Sequence, residues 1–384
     1  MTRNGKELNN TASTTIKKVR SSNLELFRII SMLLIIAHHY VVNSGLSSIG
    51  GPLYDDNLSV KSIIMFLFGA WGKTGINCFM MITGYFMCTS QITAKKYAKL
   101  LFEVFFYKIV IYLIFLCTGL ETFSFTSLVD NLLIIRNIKH NFTGCFLVFY
   151  LFIPFLNILI KNINEKQHIR LLALLGFTYI FLGTMPKFSV TMNYVSWFMV
   201  LYFIASYIRL YPKEIFSKKV FWGAATIISM LLSVVSVIGC AWISIKTGTN
   251  RTYMFVTDSN TVLAVITGVS AFMFFRNLKV PYSKFINTLG ASTFGVLLIH
   301  GNENVRYWLW YDLLNNTGVY KESYVFIHAV LSVIGIFTVC TIIDVLRIRF
   351  IESPTMKCWD KHYDSIKQWY ERTENKIFKK LNVK

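Results

Sequence analysis

Charge is scarce in this chain: 15% of its 384 residues are Asp, Glu, Lys or Arg, against 54% hydrophobic. A soluble domain carries about 25% charged residues, so a water-exposed globular surface of this size is excluded. Proline is sparse as well, six in all, and after the first twenty residues no stretch is polar for long enough to fold as a separate soluble domain. Acidic residues number 19 against 39 basic ones, a net charge of +20. Such an excess would suit nucleic acid if it formed one face. Here Lys and Arg gather in the termini and in alternate loops between apolar runs, which is the pattern of membrane insertion. No nucleic-acid partner is expected. The seven cysteines form no C-x-x-C and mostly lie inside apolar runs, so they read as small packing residues; neither disulfides nor a metal site is assigned. No A-x-A cleavage site follows the first apolar run, residues 27–42, which holds an arginine and two histidines. It reads as an uncleaved span and not as a signal peptide.

Long apolar runs dominate what is there. A bilayer core of about 30 Å takes about 20 apolar residues per helix. Runs near 24–42, 62–88, 98–118, 144–161, 169–185, 193–211, 219–244, 260–280, 287–301 and 323–346 predict an all-α fold, a polytopic membrane bundle of about ten transmembrane helices. Residues 1–23 form an N-terminal cytoplasmic segment, 24–347 the membrane domain and 348–384 a basic cytoplasmic tail. Placing the N-terminus inside collects most basic residues in inner segments (3–20, 95–99, 161–170, 209–219, 276–284 and the tail), so both termini are expected in the cytoplasm. In the tail, Trp359, Tyr363, Ile366, Trp369 and Tyr370 recur near helical spacing. It either lies on the anionic inner leaflet or stands in solvent. The second run is broken at Gly72-Lys73-Thr74-Gly75, predicting a bent or interrupted helix. Such breaks persist in membranes only when buried in protein or facing a watery cavity.

Ionisable groups inside a span cost roughly 2.5–3.5 kcal/mol each on insertion scales and so need a reason. The first run carries Glu25 and Arg28, then ten residues, then His39. At 100° per residue, eleven steps bring His39 within about 20° of the Arg28 face and roughly 16 Å further along, while His38 falls about 80° away. One stripe therefore offers a cation low in the membrane and an imidazole near its middle. The plainer alternative is an arginine snorkelling to the surface and a histidine at a helix end. Two histidines beside an Arg–Glu pair weigh against it, since imidazole is the usual general base near neutral pH.

Glu25-Leu-Phe-Arg28 followed by ten residues and His39 resembles the opening helix of the type-three membrane acyltransferases. Four later segments are similar in order: Gly75 to Gly84-Tyr85-Phe86, Phe146 to Pro154-Phe155-Leu156-Asn157, Trp197 to Arg209, and Leu289 to His300 with its Gly290-Ala-Ser-Thr-Phe-Gly295 core. The resemblance spans roughly 23–350. Departures are Thr83 for a usual serine, Phe294 for a common tyrosine, Cys145 for a frequent tryptophan, and Lys95, Lys96 and Lys99 where an arginine pair often stands. Lysine attracts phosphate as a point charge but lacks the bidentate geometry of arginine.

The resemblance implies an O-acyltransferase of the cell membrane. It would move an acyl group, usually acetyl, from cytoplasmic acyl-CoA to a hydroxyl of a surface or lipid-linked glycan, with no tightly bound cofactor. A sugar hydroxyl needs a base, and His39 can serve, with Arg28 as its catalytic partner. Arg28, Lys96 and Lys99 form the expected dock for the phosphates of CoA. Lys99 also stands four residues before Glu103, so a plain salt bridge is the alternative. The glycine-rich break would let backbone approach the donor. His300, Asn302, Glu303 and Arg306 would lie toward the outer face at the acceptor, with His300 as a pocket group or second base. An interfacial histidine at a helix end is the other reading of His300. Lys108 and Asp344 read as structural, Asp344 pairing with Arg347 at i, i+3. Two rivals remain. One is a carrier or flippase for a sugar-lipid. The other is a glycan polymerase, which normally has a longer outer loop than the 20–25 residues found here.

Overall fold

In the computed structural model, residues 20–134, 141–188, 190, 192–256 and 258–381 are described, and no strand occurs among them. The expectation about the tail's last residues, 382–384, and the basic run before Arg20 lies outside them. The apolar runs become α1 (Ser22–Val42), α2 (Val60–Gly69), α3 (Gly72–Met87), α4 (Ala94–Cys117), α5 (Phe142–Asn162), α6 (Glu165–Leu175), α7 (Tyr194–Leu210), α8 (Lys219–Thr247), α9 (Val262–Arg276), α10 (Lys284–Ala291), α11 (Thr293–His300) and α12 (Val325–Arg347). A last helix, α13 (Ser353–Lys380), continues α12 through a wide π-type turn at Ile348–Glu352. Another such turn, Gly176–Phe181, carries α6 on to Thr184. Every predicted run falls on one of these helices or helix pairs. Six stretches among the described residues are long and apolar enough to cross a membrane, while α7 and α9 are shorter.

The predicted interruption of the second run falls at Ala70–Trp71, two residues ahead of the glycines. A helix break frees carbonyls that lipid cannot satisfy. His38 answers this one: its Nδ1 lies 2.6 Å from the Gly69 carbonyl. The glycines serve α1. A methyl at Gly72 would overlap the His38 ring, and one at Gly75 would come within 2.8 Å of the Ser31 carbonyl. The room expected there for a donor is filled by protein.

Side-chain contacts sort the helix ends into two layers. Asn23 at the start of α1 donates to the Phe275 and Arg276 carbonyls at the end of α9. Asn157 near the end of α5 donates to Met87 and Ser90 at the end of α3 and accepts from Tyr202 of α7 at 2.6 Å. Lys99 in the first turns of α4 meets Glu352 beyond α12. Arg28, Lys99, Arg209, Arg276 and Arg347 therefore share one end, the basic end. His39, Lys73, Tyr194 and His300 stand toward the other.

At the basic end α4 and α12 are tied by buried charge. Arg347, 2% exposed, holds Glu103 at 3.1 Å, Asp344 at 2.9 Å and Glu352 at 2.7 Å. Tyr107 donates to Asp344 at 2.8 Å, and Lys99 meets Glu352 at 2.7 Å. The Asp344–Arg347 pair is the one read from spacing. Lys99, however, bonds Glu352 while Glu103 goes to Arg347, because the π-type turn after α12 presents a buried carboxylate to Lys99.

The Gly290–Gly295 run packs between two acidic groups. A methyl at Gly290 would overlap Glu25, and one at Gly295 would overlap the Asp344 carboxylate. Since Asp344 is anchored by Arg347 and Tyr107, it cannot retreat without breaking those bonds. Gly295→Ala is expected to destabilise the protein by about 1–3 kcal/mol, the usual cost of overpacking. Gly239 in α8 faces open space, with nothing within 4 Å of a methyl. Gly239→Ala should not destabilise, and thermal unfolding of the two detergent-solubilised variants compares them.

Candidate active site: a histidine pair on a polar cavity

At the end away from Arg28, a cavity of about 700 Å³ opens between α1, α3, α4, α5, α7 and the segment after α11. His38 and His39 of α1 line it. Behind His39 lies His300, fully buried at the last residue of α11. His300 Nε2 is 3.1 Å from His39 Nδ1, and His300 Nδ1 is 2.6 Å from the Val296 carbonyl.

These two contacts dictate the proton positions for neutral rings. A carbonyl oxygen only accepts, so His300 Nδ1 carries the hydrogen that points at Val296. Its Nε2 is then a bare lone pair, and His39 Nδ1 must be the donor. The nitrogen left to His39 is Nε2, unprotonated, on a ring that borders the cavity. A proton taken up there is shared electrostatically through Nδ1–H with the His300 ring, an arrangement suited to a general base held in one tautomer by a second group.

The rest of the wall mixes apolar side chains with polar ones, and its charges are nearly balanced. Lys73, Lys108 and Arg306 face Asp130, Asp258 and Glu303, with Asn43, Asn131, Asn141, Asn193, Asn302 and Asn304 between them. Lys73 Nζ donates to the Tyr194 hydroxyl at 2.8 Å, and Lys108 Nζ to the Asp130 carbonyl at 3.2 Å. Asn304 bonds Glu121, which fixes the loop after α4 against the segment after α11. Amides, carboxylates and ammonium groups set around a cavity can both donate to and accept from a polyhydroxylated ligand.

The structure brings His39, His300, Asn302, Glu303 and Arg306 together as one site. Arg28 is not among the residues lining it. Its guanidinium turns inward, 3.7 Å from Glu25 and 5.5 Å from the Phe79 ring centre. Lys96 donates to the Gln91 carbonyl and Lys99 pairs with Glu352, and among the described residues no hydrogen bond or ion pair joins Arg28, Lys96 and Lys99 into one cluster. Lys108, read from sequence as structural, lines the cavity. The sequence reading sets His38 off the Arg28–His39 face and gives no site role to Lys73, Asp130, Asn131, Asn193 or Asp258, yet all six line the cavity. Lys73 carried a usable signal, a charge within an apolar run; Asp130 and Asn131 sit on a short helix, Phe125–Leu132, where no element was predicted.

The described residues thus form a helical bundle with membrane-length spans and a cavity bordered by an imidazole backed by a second one. A family model described as an acyltransferase domain matches residues 21–345, and the chain belongs to this family, acyltransferase 3. It is an acyltransferase, which sets the carrier and polymerase readings aside. Neither a curated protein nor a solved structure matches it.

Proposed function

We propose that the protein is an O-acyltransferase of the cell membrane that carries an acyl group, acetyl in the simplest case, from cytoplasmic acyl-CoA to a hydroxyl of a glycan in the His39 cavity. The observation that carries this reading is the pairing of a tautomer-fixed His39 with a charge-balanced, amide-rich wall. The positive-inside rule puts the basic end, with both termini, in the cytoplasm and the cavity toward the outside, with ten crossings. His39 Nε2 removes the proton of the acceptor hydroxyl as its oxygen attacks the thioester carbonyl carbon. The carbon–sulfur bond then breaks, and the departing thiolate takes the proton from His39, leaving an ester and free CoA. Lys73 and Arg306 supply positive charge on the cavity wall for the oxyanion that forms on the way. Arg28, with Lys96 and Lys99, receives the donor at the basic end. Its acyl arm then has to pass Ile35, Ile76 and Phe79 to reach His39.

Ester content of surface glycans from wild-type, deletion and His39→Ala strains tests the reading. Loss of the same ester in the latter two is expected; equal ester in all three would overturn it. His300 acts here through His39. His300→Ala should lower transfer by roughly 10- to 100-fold, the range found when a group that orients a histidine is lost, and should shift the pH–rate profile. His300→Gln, which can still accept from His39 Nδ1, should keep more activity than the alanine variant. A profile that stays in place in both would mean that His300 only fills space.

A further inference from the structure

We propose that the apolar groove between α4 and α12 holds the lipid anchor of a membrane-linked glycan whose sugar occupies the His39 cavity. This rests on the acyltransferase reading and narrows its acceptor from any surface glycan to a lipid-linked one. The groove has a volume of about 780 Å³. Among the described residues, the hydrogen bonds and ion pairs from α4 to α12 and the turn after it come from Lys99, Glu103 and Tyr107, at the basic end. Beyond Tyr107 the gap is walled by Ile111 and Phe115 on one side and Ile336 and Val339 on the other, with Leu309 also lining it. From Ser332 to Arg347 the groove follows α12 for roughly 22 Å, most of the hydrocarbon thickness.

Two buried side chains form the partition between this groove and the cavity. Tyr107 lines both the groove and the polar cavity. His300 lines the groove and bonds His39, so the hydrocarbon slot and the base are one side chain apart. A molecule that fills both must be an amphiphile with a long apolar chain and a hydroxylated head. Its direction is also set. Arg347 lines the basic end of the groove, but three carboxylates engage it, so it has little left for an anionic headgroup. The cations Lys108 and Arg306 stand on the cavity side, where a negatively charged linkage between chain and sugar would lie.

Gly335 gives a clean test, because it lines the groove and a methyl there meets nothing within 4 Å. Gly335→Ala, Gly335→Leu and Gly335→Phe fill the groove progressively without touching the cavity. The full-length protein in nanodiscs is labelled with a diazirine-bearing polyisoprenyl-phosphate sugar and, in parallel, with a diazirine phosphatidylcholine. The sugar-lipid should label peptides within 106–115 and 332–351 in preference to the phospholipid. Labelling should fall stepwise across the three variants, by about tenfold once a side chain displaces two methylenes of the anchor. Equal labelling by both probes, meaning that bulk lipid fills the groove, or labelling indifferent to all three variants, would overturn the proposal. Surface ester content separates it from the reading beneath it. Ester lost in His39→Ala but kept in full by Gly335→Leu and Gly335→Phe sinks the groove assignment alone. Ester kept in His39→Ala sinks the acyltransferase assignment of this cavity.

Discussion

His39→Ala is expected to lower acyl transfer by roughly 10²–10⁴-fold, the usual contribution of a positioned general base. The size of the effect follows from the geometry. The acceptor hydroxyl is almost entirely protonated at neutral pH, and His39 Nε2 is the ring nitrogen that the Val296–His300–His39 chain of hydrogen bonds leaves bare. Removing the ring takes away the proton acceptor and leaves binding in place, so the loss should fall on kcat with KM for the acyl donor little changed. His38 lines the same cavity, with its Nδ1 on the Gly69 carbonyl, and it is the competing base. His38→Ala strips a partner from the α2–α3 break and should cost stability, visible in thermal unfolding, before it costs chemistry. A His39→Ala enzyme that still turns over within about threefold of wild type in a radiolabelled transfer assay, beside a His38→Ala enzyme that is folded and dead, would reassign the base to His38.

The first helix was legible because its information is local. Arg28 and His39 are placed relative to each other by one helix's own geometry, and both do turn inward from α1. What spacing does not carry is what each group meets across the bundle, since that depends on α3: the Arg28 guanidinium lies over the Phe79 ring, while Lys73 and Ile76 line the cavity that His39 borders. The segment from Leu289 to His300 was likewise legible as helical, though as one span and not as the pair α10 and α11, and the reason for its glycines was not. Gly290 and Gly295 are small because of Glu25 and Asp344, which come from helices far away in the chain. Ion pairs show the same limit. Asp344 and Arg347, three residues apart, pair as their spacing predicts, whereas Lys99 leaves its near neighbour Glu103 for Glu352. The polar wall is the extreme case. Lys73, Asp130, Asn193 and Asp258 come from four separate segments, and only the folded bundle makes them neighbours.

The buried ion cluster supplies the largest expected change in stability. Arg347→Met should destabilise the protein by about 3–5 kcal/mol, because it leaves buried carboxylates without their counter-charge. Glu103, Asp344 and Glu352 all point at one guanidinium, and Lys99 remains only for Glu352. The neutral tie from Tyr107 to Asp344 cannot offset a second uncompensated charge. The penalty belongs to the stranded charges and not to lost attraction, since a buried pair replaced on both sides by apolar groups is often neutral in stability. Asp344→Leu together with Glu103→Gln should therefore recover a good part of the loss in the Arg347→Met background. Steric-trapping or detergent-unfolding measurements on the single and combined variants distinguish the cases. If the charge-neutral combination were no more stable than Arg347→Met alone, the guanidinium would be holding α4 and α12 by packing.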